Sequence, residues 1–337
     1  MLRFIFRRLI FIPLVLILVN FLGFAYAHYA RPIRAERTPY SRLDKEVGPL
    51  FAEYRAYLNT VLNLDFSMEL ATPGSLRSNT PSTFGVLLKN ATIASLGLLL
   101  LTLLLSTLLG FFLGLKAVRN EAQGVAHWLS LISTAGLAMP SFYIGSLFIF
   151  VSVYYVLRSI PGTNPPFPLD GFGWDKHLVL PVLALMARPT VQLAQVTAGL
   201  LSEELRKQYV IAARSLGYTW RSIHNTYALR NVIAPVIVTI SGLIRLLVGE
   251  QVLIEWLFRW PGLGRLLAWT LVPAQLSSTQ GSPLFLNPPV MATVLALIAV
   301  LFLVSDFIAA ILVRIIDPRL RTTEIETSLG SERWMSG

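Results

Sequence analysis

The stretch QYVIAARSLGYTWRSIHNTYALRNVIAP, from Gln208 to Pro235, is polar and basic and lies between two long apolar runs. Within it, Ala212 and Ala213 are followed by Gly217, four positions after the second alanine, and then by a basic amphipathic run. A polar segment of this kind in so apolar a chain indicates a cytoplasmic docking element. The apolar runs on either side of it set the fold.

The composition of the chain is that of a membrane protein. Of its 337 residues, 54% are hydrophobic and 14% are charged, against about a quarter charged in a soluble domain, and the mean hydropathy is +0.63. The absence of cysteine excludes a disulfide framework and a thiolate metal site. A net charge of +10 would suggest nucleic acid in a soluble protein, but the placement of the charges explains it better, so no nucleic-acid partner is expected.

Six apolar runs are long enough to cross about 30 Å of hydrocarbon, which takes about 20 residues. The third run exceeds one untilted span and contains Met139-Pro140, so we expect it to be kinked or to run partly along the interface. The predicted spans are Leu9–Ala27, Ala91–Leu115, Trp128–Leu157, Leu178–Leu200, Val232–Phe258 and Val290–Val313.

The distribution of Lys and Arg among the short loops sets the orientation. The 201–231 loop holds five basic residues, whereas each short segment on the opposite side holds two. We therefore expect a multi-pass protein of the cell membrane with both termini and the 201–231 loop in the cytoplasm. The basic residues on that side are Arg3, Arg7, Arg8, Lys116, Arg119, Arg206, Lys207, Arg214, Arg221, Arg230, Arg314, Arg319, Arg321 and Arg333.

The N-terminal run allows two interpretations. Basic residues, an apolar stretch and the small-residue sequence Ala25-Tyr26-Ala27 are together compatible with a cleavable signal peptide. The run Leu9–Ala27 is longer than the apolar region of a signal peptide, which has about 7–15 residues. Its length favours a retained span.

The segment between the first two spans, Tyr29–Asn90, is too long for a simple turn. Apolar residues recur in it at helical spacing, which predicts an amphipathic helix. We expect this helix to pack on the outer mouth of the spans, and the alternative is an element that reads the substrate. Its apolar stripe consists of Leu50, Phe51, Tyr54, Tyr57, Leu58, Val61 and Leu62.

Short motifs follow one another in an order that resembles one family of transporters. The Gln208–Pro235 stretch resembles the EAA loop of ABC importer permeases, a short helical element that sits in a groove of the partner ATPase. Over about residues 1–320, the whole set resembles the first permease subunit of the dipeptide/oligopeptide/nickel branch. Its other members are Met1-Leu2-Arg3 to Pro13, Lys89–Leu96 (KNATIASL), Met139–Gly145 (MPSFYIG), Glu255–Gly264 (EWLFRWPGLG) and Asp317-Pro318-Arg319.

Three stretches depart from the family pattern. Ile211 stands where the general EAA pattern has Glu, and Leu64–Ser67 lacks the glycine that usually opens the corresponding motif. The stretch Pro273–Pro289 is longer and more irregular than the expected loop. These departures concern the outer face and the cargo and leave the coupling loop intact.

The resemblance implies an all-α permease like those of type I ABC importers, with six transmembrane helices, an EAA coupling loop and a long first extracytoplasmic segment. It implies as partners a second permease subunit, two cytoplasmic ATP-binding subunits, an extracytoplasmic substrate-binding protein and membrane lipid. The implied parts are an N-terminal span (1–28), an extracytoplasmic segment (29–90), a five-helix core (91–316) that includes the coupling loop (201–231), and a cytoplasmic tail (317–337). The residues implied in coupling are Glu204, Tyr209, Ala212, Ala213, Ser215, Leu216, Gly217, Tyr218, Trp220 and Arg221.

The coupling loop is predicted to form a helix, a turn and a second helix. The first helix is expected over Ser202–Leu216 with Gly217 as its C-cap, and Thr219 is the expected N-cap of the second. The small Ala212 and Ala213 would allow close approach of a partner, and larger side chains would anchor a groove. An ordinary interfacial helix that contacts lipid head groups is the alternative. The expected anchors are Tyr209, Leu216, Tyr218 and Trp220.

Charged residues inside the spans are costly and are candidates for the translocation pathway. Arg188 precedes Pro189, which is expected to bias it away from helical geometry and to kink the fourth span. Ion pairing is the alternative role; pathway lining is favoured for Arg188, and pairing for Arg245 and Glu250. Glu255 and Arg259 are expected to pair locally. The pathway candidates are Arg188, Arg245, Glu250 and Asp306.

The sequence lacks the motifs of an enzyme. No Gly-Lys dipeptide occurs, so a Walker A loop is excluded, and the four histidines are scattered without metal-ligand spacing. We expect no catalysis, cofactor or metal. The remaining alternatives are a secondary transporter or channel subunit, which would need internal repeats, and a membrane-embedded enzyme. The cargo stays open among dipeptide, longer peptide, nickel, sugar and lipid-like peptide.

Overall fold

The computed structural model describes residues 2–37, 47–67, 69–70, 82–118, 124–159, 164–272 and 284–316. The expected tail over 317–337 and the part of the irregular loop over 273–283 lie outside these residues, as does the Asp317-Pro318-Arg319 motif.

The described residues form helices almost throughout, with one short antiparallel pairing of two-residue strands, β1 (Glu69–Leu70) and β2 (Ser82–Thr83). The helices are α1 (Leu2–Arg37), α2 (Leu50–Leu62), α3 (Phe84–Ala117), α4 (His127–Ala138), α5 (Ser141–Arg158), α6 (Val179–Glu204), α7 (Gln208–Ser215), α8 (Trp220–Ser222), α9 (Leu229–Leu257), α10 (Leu263–Leu271) and α11 (Pro288–Ile316).

Six helices within the described ranges are long and apolar enough to cross a membrane, which confirms the expected number of spans and the all-α fold class. A turn of π-helix, Ile223–Ala228, joins α8 to α9, so that one helix runs from Trp220 to Leu257. The spans lie over Ile10–Arg34, Phe84–Ala117, Ser141–Arg158, Lys176–Glu204, Trp220–Leu257 and Pro288–Leu312.

The third predicted span, Trp128–Leu157, consists of two helices. The chain is extended at Met139 and Pro140, with ψ of 117° and 151°, because a proline disfavours helical geometry in the residue before it. At about 1.5 Å per residue, the 12-residue α4 is too short to cross a bilayer, whereas the 18-residue α5 is long enough. The run therefore supplies one span, α5, and a separate short helix.

The core of the bundle is the close contact between α3 and α6. A Cβ atom at Gly110 would lie 2.7 Å from the Thr190 carbonyl oxygen, and one at Gly114 would lie 2.8 Å from the Ala194 carbonyl oxygen. Small residues allow such close packing, which is a main source of helix association in a bilayer. Of the six spans, α6 has the largest buried share.

The helix expected between the first two spans is α2, and it packs against α1 and α11. Asn20 on α1 donates hydrogen bonds to the Tyr57 hydroxyl (2.8 Å) and to the Ala292 carbonyl (3.2 Å). Tyr54 and Tyr57 are buried with Phe24. Packing on the spans is thus confirmed for α2.

One member of the predicted apolar stripe lies off the packed face of α2. Leu62 is largely exposed, so its assignment to the stripe is wrong. Phe51 is also largely exposed, but its ring stacks on Phe21 of α1 with centroids 6.1 Å apart. The stripe is narrower than the spacing suggested, because a straight helix of 13 residues can turn only part of its apolar surface toward its neighbours.

Candidate functional site

The coupling loop begins with a turn that the sequence did not reveal. The span α6 ends at Glu204, and α7 starts at Gln208 after an extended Lys207 with ψ of 153°. The prediction of one helix over Ser202–Leu216 is therefore wrong. Its first residues belong to the span, and the second part is a separate helix.

The buried carboxylate of Glu204 bridges this turn. It accepts hydrogen bonds from Lys207 Nζ (2.5 Å), the Tyr209 hydroxyl (3.1 Å) and Asn231 Nδ2 (2.8 Å). These donors lie on three segments, so the carboxylate ties the end of α6 to the start of α7 and the base of α9. Burial, with the Glu204 charge, raises the pKa of Tyr209 to about 12. Tyr209 is half-buried, and its hydroxyl serves the loop itself.

The far end of α7 is closed by the predicted glycine cap. Gly217 has a φ of +85°, and its N–H donates to the Arg214 carbonyl (2.9 Å) while Tyr218 N–H donates to the Ala213 carbonyl (3.1 Å). This pair of hydrogen bonds is the Schellman motif. No atom lies within 4 Å of a Cβ placed at Gly217. The backbone conformation, rather than crowding, therefore requires the glycine.

The N-cap of the second helix is also as predicted. Thr219 is extended, and its hydroxyl oxygen accepts a hydrogen bond from Ser222 N–H at 3.4 Å. Arg214 lies over the Trp220 ring, 5.4 Å from its centroid, and Trp220 is half-buried against the apolar interior of the loop. Trp220 is thus less available as an anchor than the sequence suggested.

The outward face of the loop is unusually apolar. Ile211 and Leu216 are 68% and 78% exposed, and Tyr218 is exposed beside Tyr227, with ring centroids 5.9 Å apart. Ala212, Ser215 and Arg221 are exposed on the same loop, whereas Ala213 faces inward. Large exposed apolar side chains on a polar segment are typical of a protein interface. Ile211 was noted in the sequence only as a departure from the family pattern, and its exposure was not predicted.

Two of the charged residues within the spans pair across α6 and α9. Arg188 Nη1 donates to Glu250 Oε1 at 2.7 Å. Among the described residues, Arg188 Nε and Glu250 Oε2 are buried without a hydrogen-bond partner. The helix α6 continues through Pro189, so the predicted departure of position 188 from helical geometry is wrong.

A second charged cluster joins three helices. Asp306 on α11 accepts from Arg8 Nη1 of α1 (2.7 Å) and from Arg245 Nη1 of α9 (2.9 Å). The carboxylate is partly buried, and the Arg245 side chain is 50% exposed. One carboxylate thus accepts hydrogen bonds from two guanidinium groups on different helices.

The exposed Arg245 lies on an open face of α9. Gly242 and Gly249, at helical spacing on either side, have almost no neighbouring side chains. Leu253 and Trp256 continue the same exposed face. A half-exposed guanidinium is costly against hydrocarbon. This face therefore requires water or a polar partner.

The expected local pair between Glu255 and Arg259 does not form. The helix α9 ends at Leu257, so the two side chains do not share a helical face. Arg259 instead donates to Asp170 Oδ2 at 3.2 Å. Glu255 is fully buried, where its carboxylate accepts from Ser95 Oγ (2.6 Å), Gln251 Nε2 (2.6 Å) and Gly264 N–H (2.7 Å).

These hydrogen bonds fix α10 against α3 and α9 and explain the Trp-Pro-Gly-Leu-Gly motif. A Cβ at Gly262 would lie 2.3 Å from the Glu255 carboxylate, and one at Gly264 would lie 2.6 Å from the Val252 backbone. The buried Trp260 donates from Nε1 to the Ala94 carbonyl at 3.0 Å. Sequence reasoning used the motif only as a family pattern and missed the link between Ser95 and Glu255, which lie 160 positions apart.

Six spans, paired charges inside the bundle, an exposed arginine on an open face of α9 and large apolar side chains exposed on the loop at one end are together typical of a helical transport protein of the membrane. Residues 106–322 match the family described as binding-protein-dependent transport system inner membrane component, and the chain belongs to this family. It is thus a multi-pass inner membrane permease subunit of an ABC importer that works in a complex with other subunits. Membership decides against the secondary-transporter and channel alternatives.

Several characterised permeases are similar to this chain. The oligopeptide transport system permease protein AppB of Bacillus subtilis (strain 168) is 27% identical over 81% of either chain. The dipeptide transport system permease protein DppB of Lactococcus lactis subsp. cremoris (strain MG1363) is 29% identical over 65% of this chain and 66% of its own length. DppB of Escherichia coli (strain K12) is 25% identical over 95% of this chain and 99% of its own.

Proposed function

We propose that this chain forms half of a peptide translocation pathway and is coupled through its 201–231 loop to cytoplasmic ATPases. The other half is a second permease subunit, two ATP-binding subunits drive the cycle, and an extracytoplasmic binding protein delivers the cargo. Similarity to permeases named for dipeptide and oligopeptide transport supports peptides as the cargo class. The chain catalyses no reaction of its own.

The observation that carries this proposal is the exposed apolar surface of the coupling loop. Ile211, Leu216 and Tyr218 project from a segment that Glu204 and the Gly217 cap hold in shape. A surface that is ordered before binding loses little entropy on docking, which favours affinity. Glu204 and Tyr209 thus act by shaping the loop, whereas Ala212, Ser215 and Arg221 lie with the exposed residues at the contact.

The orientation follows from the same proposal. Docking to cytoplasmic ATPases places the 201–231 loop in the cytoplasm, and the six spans then place both termini on that side. This agrees with the concentration of arginine in those segments. The packing of α1 along α11 through Asn20 and the pair between Arg8 and Asp306 supports retention of the N-terminal span.

The pathway is proposed to run along the open face of α9. Arg245 on this face, with the paired Asp306, Arg188 and Glu250 nearby in the same bundle, supplies a polar surface inside the membrane. Peptide termini are charged, so a pathway that carries them needs such groups.

The coupling proposal is tested with two leucines of equal exposure at opposite ends of the bundle. Leu216→Glu places a charge on the docking surface, whereas Leu62→Glu places it on α2; the two leucines are 78% and 79% exposed. Affinity-tagged transporter is purified from membranes, and co-purified ATPase and peptide uptake into proteoliposomes are measured. We expect Leu216→Glu to lose both the co-purified ATPase and peptide uptake, and Leu62→Glu to keep both. Retention of ATPase and uptake by Leu216→Glu would reject the docking surface.

A further inference from the structure

A cavity with a volume of about 570 Å³ lies at the end of the bundle opposite the coupling loop. Its walls come from the start of α3, the segment before α6 and the start of α10. Three aromatic rings, one guanidinium and one amide contribute to its lining. The lining includes Asn90, Ile93, Phe172, Trp174, Arg265 and Trp269.

The guanidinium of Arg265 is the charged group of this cavity. It lies 4.8 Å from the centroid of the Trp269 ring and donates a hydrogen bond to the Arg259 carbonyl. In the part of the chain that the structure describes, it forms no ion pair with a carboxylate. Burial, with the nearby Arg259, lowers the pKa of Arg265, and the charge of Asp170 acts in the opposite direction. Arg265 is thus a partly buried cation that lines the cavity.

The cavity lies at the boundary between polar and apolar parts of α3. Lys89 and Asn90 are polar and exposed, and the residues from Ala91 to Leu115 form an almost unbroken apolar run. At about 1.5 Å per residue, that run is long enough to cross a hydrocarbon core of about 30 Å. The cavity therefore lies near one end of the span, where the exposed Lys89 and Asn90 precede the long apolar run.

An exposed apolar stripe descends from the cavity along α3. Ile93, Leu96, Leu100 and Leu104 recur at helical spacing, and all four are exposed. A stripe composed only of aliphatic side chains on a membrane helix is suited to acyl chains. Ile93 belongs both to this stripe and to the cavity lining, so the two surfaces are continuous.

Two indole rings, those of Trp174 and Trp269, line the cavity at this end of the span, and tryptophan is enriched near the ends of spans in membrane proteins. Trp174 covers Gly97, where a Cβ atom would lie 2.0 Å from the ring. Trp174 and Phe172 pack edge to face with centroids 5.8 Å apart. Amphipathic rings at this level contact lipid head groups.

We propose that the cavity binds a phospholipid of the leaflet opposite the coupling loop, with the phosphate on Arg265 and an acyl chain along the α3 stripe. The cation matches the phosphate, the indoles of Trp174 and Trp269 flank the head group, and the stripe accepts the tail. A soluble anion would use Arg265 alone and leave the stripe without a role. The bound lipid would fill the gap between α3 and α10 and support the position of α10.

The test uses the assembled transporter in proteoliposomes that contain a phosphatidylglycerol with a photoreactive diazirine on its acyl chain. Irradiation is followed by mass spectrometry of peptides from α3. Arg265→Gln removes the cation from the cavity, and Arg259→Gln removes one from the adjacent exposed pair with Asp170. Because Arg265→Gln removes the charged hydrogen-bond donor, we expect labelling of the Ile93–Leu104 segment to fall about tenfold in this variant. Labelling in Arg259→Gln should stay within about twofold, as expected of an exposed pair.

Other outcomes would overturn the proposal. Equal labelling in the two variants would mean that the lipid contacts α3 non-specifically, as part of the surrounding bilayer, and is not bound at the cavity. Competition by millimolar glycerol phosphate would mean that the site takes a soluble anion. Arg265→Lys keeps the positive charge and serves as the control if Arg265→Gln fails to assemble. If this variant assembles and labels as weakly as Arg265→Gln, charge recognition is rejected.

Discussion

Arg188 on α6 and Glu250 on α9 form an ion pair with a closest distance of 2.7 Å inside the membrane-spanning part of the bundle. The glutamate is mostly buried, and the arginine is partly exposed. Each charge thus lowers the free-energy cost of placing the other in a poorly hydrated environment. The pair joins the most buried span to the helix that continues from the coupling loop.

Replacement of Arg188 by Gln should destabilise the folded protein. Breaking a buried pair costs up to about 3–5 kcal/mol, because the remaining charge loses its partner. The loss should be at the lower end here, since Arg188 is partly exposed. The melting temperature of the purified transporter should therefore fall. The double variant Arg188→Gln/Glu250→Gln should recover most of that fall, and a double variant no more stable than the single one would show that the pair has no structural role.

The same variants separate a structural role of Arg188 from a role in the pathway. If Arg188 also meets the carboxylate of the cargo, uptake of a peptide should remain reduced in the double variant, while uptake of its C-terminally amidated analogue should recover. Equal recovery of the two peptides would assign Arg188 to structure alone. Uptake into proteoliposomes, normalised to the amount of assembled transporter, gives this comparison.

Replacement of Gly217 by Val should uncouple ATP hydrolysis from uptake. The residue has a φ of +85°, and a β-branched side chain is poorly tolerated at positive φ, so the Schellman cap would open and the loop would change shape. Asn tolerates this conformation better, and Gly217→Asn is the matched control. We expect normal membrane levels for each variant, with peptide uptake per ATP hydrolysed reduced in Gly217→Val only. An unchanged ratio in Gly217→Val would remove the role of the cap in coupling.

Replacement of Gly264 by Ala should destabilise the contact between α9 and α10. The added Cβ would lie 2.6 Å from the Val252 backbone, and overpacking of this kind costs about 1–3 kcal/mol. Gly249→Ala adds the same methyl group on the same helix bundle, where no atom lies within 4 Å. Thermal unfolding should show a lower melting temperature for Gly264→Ala and no decrease for Gly249→Ala. Similar values for the two variants would contradict the described packing.

Single cysteines at the two ends of the bundle should be labelled from opposite sides of the membrane. The chain has no native cysteine, so Thr226→Cys in the exposed part of the coupling loop and Leu62→Cys on α2 each provide one thiol. An impermeant maleimide applied to spheroplasts should label Leu62→Cys, and Thr226→Cys should react only after the membrane is opened. Labelling of Thr226→Cys in intact spheroplasts would reverse the proposed orientation.

The features that the sequence predicts well are those that depend on neighbouring residues. Hydropathy over some 20 residues determines the six spans. The caps at Gly217 and Thr219 follow from backbone preferences within one turn. Spans and caps can both be predicted without knowing which surfaces of the fold they pack against.

The features that the sequence left open depend on distant residues. Arg8 and Asp306 lie 298 positions apart, and only the packing of α1 on α11 brings them together. The turn after Glu204 depends on a donor, Asn231, that comes from the next span. The pairing assigned to Glu255 failed because the end of α9 at Leu257 could not be located from the local sequence.

The 38 residues from Trp220 to Leu257 form one uninterrupted helix, which at about 1.5 Å per residue is about 57 Å long. A rod of this length behaves as a lever. A tilt of about 10° at the loop end would displace the other end by about 10 Å, without any relay of contacts through the bundle. The π-helical turn at Ile223–Ala228 lies next to the docking surface, so it is where this helix would bend when the ATPases move the loop. The stiffness of this turn would therefore decide how much of the ATPase movement is transmitted to the other side of the membrane.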